Sequence, residues 1–128
     1  MKKRVLDVGN CGPDHSSIRH FLAKHFECEV LQAHGADDAL AALRDGHVDL
    51  VLVNRKLDMD YSDGIEVIRQ IKAAADLAHV PTMLVTNYDE HHEAAMKIGA
   101  LRGFGKLDLA KPETVEKLRP ILDDSPKN

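Results

Sequence analysis

The chain has 128 residues, a length typical of one compact domain. Its 17 basic and 21 acidic side chains give a net charge of −4, which lacks the basic surplus of nucleic-acid-binding domains. Hydrophobic residues make up 44% of the chain, as in soluble globular proteins, yet no apolar stretch approaches the ~18–20 residues that span a bilayer. We therefore expect one cytoplasmic domain over residues 1–124 with a short polar tail at 125–128, and neither nucleic-acid nor membrane partners.

Along the chain, short β-branched runs alternate with longer segments of helical periodicity, and the alternation occurs five times. The predicted strands are Lys3–Val8, Cys28–Ala33, Asp49–Asn54, Pro81–Thr86 and Arg102–Lys106. Between them, mostly apolar residues share one helical face in each of four segments: Ile18, Phe21, Leu22 and His25; Leu40 and Leu43; Ile65, Ile68 and Ile71; Val115, Leu118 and Leu122. Gly46 is predicted to end the second helix, and Pro120 to loosen or end the last one.

Five such units predict an α/β fold with a single doubly wound, five-stranded parallel sheet and helices on both faces. We expect the flavodoxin-type strand order 2-1-3-4-5. In these sheets ligands bind beyond the carboxyl ends of the strands, where the winding reverses. The candidate pocket residues are therefore Gly9, Asn10, Asn54, Thr86 and Lys106.

Several segments in order carry a resemblance to a known family. They are the apolar run Val48–Val53 before the end of the third strand; Gly64–Ile68 at the start of a helix; Val80–Thr86 as the fourth strand; and Gly99-Ala100 followed six residues later by Lys106. In this layout the chain resembles, over nearly its whole length, the CheY-like receiver domain of two-component response regulators. The resemblance implies a role in signal transduction.

The residues that carry the chemistry of that family differ here. In receivers, two acidic residues after the first strand hold Mg²⁺, and an aspartate ending the third strand accepts a phosphoryl group. Gly9, Asn10 and Asn54 occupy those places. Mg²⁺ prefers carboxylate oxygens, and an amide does not act as the nucleophile. The resemblance therefore implies a pseudo-receiver with no cofactor, no metal site and no enzymatic activity.

Other positions match the family in part. The resemblance aligns Thr86 with the hydroxyl residue that senses the phosphoryl group and Lys106 with the lysine that pairs with it. We expect Lys106 to face no acidic partner. Gly103 stands where the family has a switch aromatic, so that aromatic is lost, and we expect Phe104 on the opposite face of the strand. Asp7, inside the central strand, is interpreted as paired with a cation or hydrogen bonded, with a displaced pocket acid as the alternative.

Three further groups of residues are weaker candidates. Asp58–Asp63 superficially resembles a calcium loop, but its glycine and twelfth position are out of register, so we expect a solvated loop in which Asp63 caps the following helix. His91 and His92 point about 100° apart on a helix and are not expected to share Zn²⁺. Cys11 and Cys28 lack metal-ligand spacing and are predicted to be reduced thiols.

The favoured function is a stand-alone interaction module that works without aspartyl phosphorylation. Its expected surface is formed by the fourth helix, fifth strand and fifth helix, over about 89–98, 102–106 and 113–122, and contacts an unknown protein or a second copy of the chain. The alternative is a small-molecule or anion sensor that uses the vacated pocket near Lys106. A regulator phosphorylated on Asp58 or Asp60 is a third hypothesis, disfavoured because both residues lie beyond the strand end.

Overall fold

The structure is a computed structural model and describes residues 2–123. The tail predicted at 125–128 lies outside the described residues. Strands and helices alternate in the order β1 Lys3–Val8, α1 Gly12–His25, β2 Cys28–Ala33, α2 Ala36–Asp45, β3 Leu50–Asn54, α3 Gly64–Ala73, β4 Thr82–Val85, α4 Asp89–Lys97, β5 Leu101–Phe104 and α5 Pro112–Leu122. A short 3-10 helix, Lys106–Asp108, connects β5 to α5.

The five strands form one parallel sheet in the order β2-β1-β3-β4-β5, as the sequence predicted. Val8 is opposite Val53, and Asn54 at the end of β3 is opposite Val85 at the end of β4. Because all strands run in one direction, their carboxyl ends share one edge of the sheet. The predicted pocket residues lie at this edge.

Helices cover both faces of the sheet. β3 shows how the two layers arise, because Leu50 and Leu52 face one layer while Val51 and Val53 face the other. The first layer contains α1 and α5, with Ile18, Leu22 and Leu118 in its core, and the second contains α2, α3 and α4, with Leu43, Ile68 and Ala95. A strand buried on both faces reads as a continuous apolar run.

The sequence predicted the cap of α3 correctly and two other features of the helices wrongly. Asp63 caps α3 by accepting a hydrogen bond from the Ile65 backbone N–H. His25 is exposed, and the buried position belongs to Phe26 just after α1. Pro120 does not end α5, which continues to Leu122, because Pro120 is exposed near the helix end while Leu122 is buried in the core.

The last strand was predicted too late in the chain. β5 ends at Phe104 instead of Lys106, because the chain turns there into the 3-10 helix. A bulge interrupts its pairing with β4: Leu101 is opposite Met83, but Phe104 is opposite Val85, which leaves one extra residue in β5. Gly103 lies in this bulge, and a Cβ atom there would overlap the backbone carbonyl of Leu84. Phe104 is buried in the layer of α1 and α5.

The strand predictions also extended one residue too far elsewhere. β3 begins at Leu50, and β4 occupies only Thr82–Val85 of the predicted segment. Across the described residues, each helix is too short or too polar to be a candidate membrane span.

Candidate functional site

The carboxyl edge of the sheet brings most of the predicted pocket residues together. Asn54, Thr86 and Lys106 line one cavity of about 370 Å³, which we call the strand-end cavity. Gly9 lies beside Asn54, whereas Asn10 is fully buried and its side chain bonds to Asp7. The topology therefore brings four of the five residues together at one site, whereas the Asn10 side chain is buried and does not line the cavity.

The Asn54 side chain holds two loops together. Its Nδ2 donates hydrogen bonds to the backbone carbonyl oxygens of Gly9 at 3.2 Å and Lys56 at 2.6 Å. A carbonyl oxygen only accepts, so the amide nitrogen, and not the oxygen, must face both partners. Asn54 thus connects the loop after β1 to the loop after β3.

The space beside Gly9 is filled by an apolar side chain. Gly9 has a φ of 81°, in the left-handed region that favours glycine, and a Cβ atom there would overlap Leu57. Leu57 is buried, and the next backbone N–H, that of Asp58, donates to the Gly9 carbonyl at 2.9 Å. The loop after β3 therefore packs directly onto the end of β1.

Asp7 is a buried residue of β1, and both of its carboxylate oxygens contact neighbouring side chains. Its carboxylate accepts a hydrogen bond from the Asn10 amide and lies 2.7 Å from Nδ1 of His15 in α1. Burial raises the pKa of Asp7, and the bonds from His15 and Asn10 oppose that rise. Asp7 is fully buried and is not part of the strand-end cavity, so the interpretation of a paired core acid is right.

Lys106 has an acidic partner, contrary to the sequence-based expectation. Its Nζ donates to Oδ2 of Asp14, in the first turn of α1, at 2.7 Å. This bond lowers the pKa of the Asp14 carboxyl below its ordinary value. The error arose because α1 begins at Gly12, with Pro13 in its first turn, and this early start brings Asp14 over the strand ends.

Thr86 is held by one backbone donor and one side-chain donor. Its hydroxyl accepts a hydrogen bond from the Tyr88 N–H at 3.3 Å, and its carbonyl accepts one from Nε2 of His92 at 2.8 Å. Burial lowers the pKa of His92, which favours the neutral ring in this position. His92 thus has a structural role, while His91 lines the strand-end cavity.

The residues present do not fit a receiver-type magnesium site. Gly9, Asn10 and Asn54 supply no carboxylate, and Asn54 turns its amide nitrogen toward the neighbouring carbonyls. Within residues 2–123, no group of three or more His, Cys, Asp or Glu residues could hold a metal ion. In the loop 58–63, the Asp60 carboxylate accepts a hydrogen bond from the Ser62 N–H, and the Asp63 carboxylate caps α3.

Sequence reasoning missed several neighbours of the pocket. Asp14 and His15 come from the first turn of α1, and an acidic residue after Pro13 was a usable signal for that turn. Leu57 offered no signal, because an apolar residue in a polar loop is common. Tyr88 and Arg55 line the cavity through positions next to the strand ends.

Comparisons with known proteins agree with this architecture. The sequence pattern of the response regulator receiver domain matches residues 13–123. The chain is 24% identical over 98 residues to the polar-differentiation response regulator DivK of Brucella ovis, which covers 76% of this chain and 78% of DivK. Chemotaxis protein CheY4 of Vibrio cholerae superposes with a TM-score of 0.73 at 21% identity, over 95% of this chain and 100% of CheY4.

A longer protein carries the same fold in one part. NtrX from Brucella abortus superposes with a TM-score of 0.71 at 24% identity, over 94% of this chain. The chain spans only 26% of NtrX. At these identities the two solved structures establish the fold.

Proposed function

This chain belongs to the response regulator receiver domain family, and we propose that it acts in signalling through protein–protein contacts without aspartyl phosphorylation. In this proposal it is a pseudo-receiver and a binding module, with no enzymatic activity of its own. The observation that carries the proposal is the position of the Asn54 side chain, at the place where the family has its phosphoryl acceptor.

Asn54 supports the proposal through the direction of its hydrogen bonds. A receiver aspartate must present a free carboxylate oxygen to its phosphoryl donor. Here the side chain donates to the carbonyls of Gly9 and Lys56, two contacts that a carboxylate could not make. The amide is therefore suited to holding two loops together and unsuited to phosphoryl transfer.

The surroundings of Asn54 support the same proposal. Leu57 fills the space that a side chain at residue 9 would need, so an acidic residue there would be strained as well as crowded. The Lys106 ammonium is already paired with Asp14 and does not need a phosphoryl group as a partner. These contacts occupy the groups that a phosphorylation switch would have to move.

The surface formed by α4, β5 and α5, with the 3-10 helix that connects β5 to α5, is the proposed contact face. Among the described residues, six large hydrophobic side chains are exposed, and four lie here: Tyr88, Met96, Leu101 and Leu107. Contiguous exposed apolar patches are typical of interaction sites, and these four side chains are the candidates for such a patch. We place this activity in the cytoplasm, where the free thiols of Cys11 and Cys28 would stay reduced.

The proposal is tested by incubating the protein with Mg²⁺ and a small-molecule phosphodonor and measuring its intact mass. We expect no increase in mass, because no carboxylate is placed to accept the phosphoryl group. A receiver that retains its aspartate serves as the positive control. An adduct of one phosphoryl group that maps to Asp7, Asp58 or Asp60 would contradict the proposal.

A further inference from the structure

The strand-end cavity has a strongly cationic lining. Arg55 and Lys56 follow β3, and Lys106 is the first residue of the 3-10 helix after β5. None of the residues that line the cavity is Asp or Glu. This concentration of positive charge contrasts with the net charge of −4 for the whole chain.

Arg55 provides an independent sign that an acceptor is missing. Its Nε atom is buried and has no hydrogen-bond partner among the described residues. Arg55 forms an ion pair with Asp63, but its Nε atom lies 3.9 Å from the carboxylate oxygen, beyond hydrogen-bond distance. A buried donor without an acceptor is costly. Because this Nε atom is enclosed, an anionic ligand in the cavity would pair with the exposed part of the Arg55 side chain.

The cavity also has an aromatic wall. Tyr88 is 63% exposed although it lies at the cavity, and its ring meets His91 edge-on, with centroids 5.8 Å apart. The edge contact with His91 leaves the faces of the tyrosine ring free of that contact, and ring faces stack well on planar groups. A volume of about 370 Å³ lies in the lower part of the range for small-molecule sites.

We propose that the strand-end cavity binds a small organic phosphate that carries a planar ring, of the nucleoside monophosphate class. The phosphate lies among Arg55, Lys56 and Lys106, and the ring lies against Tyr88. The ligand is bound without a covalent bond, so this inference does not depend on aspartyl phosphorylation, although Tyr88 belongs both to this site and to the proposed contact face.

Asp14 sets the strength of this site. It lies outside the cavity lining but holds the Lys106 ammonium at 2.7 Å, so it competes with the ligand for that charge. Replacing it with a neutral side chain frees Lys106. The proposal therefore requires that loss of Asp14 strengthens ligand binding, the opposite of what a merely damaged site would show.

The test is calorimetric titration of the full chain with AMP, GMP, CMP and UMP, with adenosine and inorganic phosphate as partial ligands. We expect saturable binding of at least one nucleotide, and at least about tenfold weaker binding of both partial ligands. Lys56→Ala should weaken binding about fivefold or more, and Asp14→Asn should strengthen it about threefold. Lys56 is exposed and its backbone carbonyl is retained, so the variant should fold.

Lys24→Ala is the matched control, because it removes the same charge from the end of α1, at the opposite edge of the sheet. It should bind like the wild type. The proposal is overturned if no nucleotide binds up to millimolar concentration, if inorganic phosphate binds as well as the nucleotides, or if Lys56→Ala and Lys24→Ala have equal effects. None of these outcomes bears on the intact-mass test of phosphorylation.

Discussion

At the scale of single residues, the difference between an amide and a carboxylate decides the character of the pocket. Asn54 differs from an aspartate only in carrying an NH₂ group in place of one carboxylate oxygen. That nitrogen donates the two hydrogen bonds that join the loops after β1 and β3. Asp7, by contrast, keeps its carboxylate in the core because Asn10 and His15 satisfy it. The composition of the pocket was readable from the sequence, whereas these pairings depend on side-chain positions.

The Asn54→Asp variant should lose stability and gain no function. Its carboxylate would face the carbonyl oxygens of Gly9 and Lys56, so we expect the free energy of unfolding to fall by about 1–2 kcal/mol. Urea denaturation at neutral pH measures this change. Asn87→Asp is the matched control, because Asn87 uses its oxygen to accept from the Leu107 N–H and an aspartate retains that bond. Equal stability of the two variants would contradict the account.

The Asp7→Asn variant should show a distinct pH dependence of stability. Burial raises the pKa of Asp7 above its ordinary value of 3.8, so its contribution to folding is complete below that value and is lost as the pH rises through the raised pKa. The stability of Asp7→Asn relative to the wild type should therefore increase as the pH rises from 3.8 through the raised pKa. Urea denaturation at several pH values in that range measures the difference.

Asp49→Asn is the control of opposite sign. Partial burial tends to raise the pKa of Asp49, but hydrogen bonds from the Arg4 N–H and His47 outweigh it, and the pKa is lowered. Its stabilising effect is present above 3.8 and is lost as the pH falls through the lowered pKa, so Asp49→Asn should lose stability relative to the wild type as the pH rises. Parallel pH profiles for the two variants would show that the assignment for Asp7 is wrong.

At the scale of elements, the sequence pattern predicted the five strands and four of the five α-helices, but their ends depended on tertiary contacts, and α4 was expected only from the family resemblance. The run Val48–Val53 predicted a buried strand because both of its faces are covered. The bulge at Gly103 carried no such signal, since it arises from the pairing of β5 with β4. Tertiary contacts also explain why Pro120 does not end α5, because the burial of Leu122 holds the last residues in the helix.

The exposed apolar residues of α4 and β5 allow the contact face to be tested. Leu101 is 46% exposed, so Leu101→Lys should fold but should weaken partner capture or self-association at least about tenfold, because a charge is then desolvated in the contact. Quantitative capture from native lysate and sedimentation of the isolated chain measure the two cases. Met59→Lys, at a 65% exposed residue in the loop after β3, is the control and should behave like the wild type. The reverse pattern would place the contact face at that loop.

At the scale of the whole molecule, the chain combines a receiver architecture with a pocket in which Asn54 and Lys106 are bonded to other residues of the chain. The fold followed from the alternation of strands and helices and from the rules for parallel sheets. The site followed only in part, because topology places Asn54, Thr86 and Lys106 at one edge but does not reveal the Asp14 partner of Lys106. Long-range pairs of this kind join residues 92 positions apart and have no periodic signature.

The most direct test of the central claim is a set of amide NMR spectra of the wild-type chain, recorded alone, with Mg²⁺, and with Mg²⁺ plus beryllofluoride, a mimic of an aspartyl phosphoryl group. The account predicts that beryllofluoride causes no Mg²⁺-dependent shifts at Asn54 or Thr86, nor in β5 and α4, because no carboxylate is available to bind either species. Mg²⁺-dependent shifts that extend from Asn54 through 101–106 into 89–97 would show a working phosphorylation switch and contradict the account.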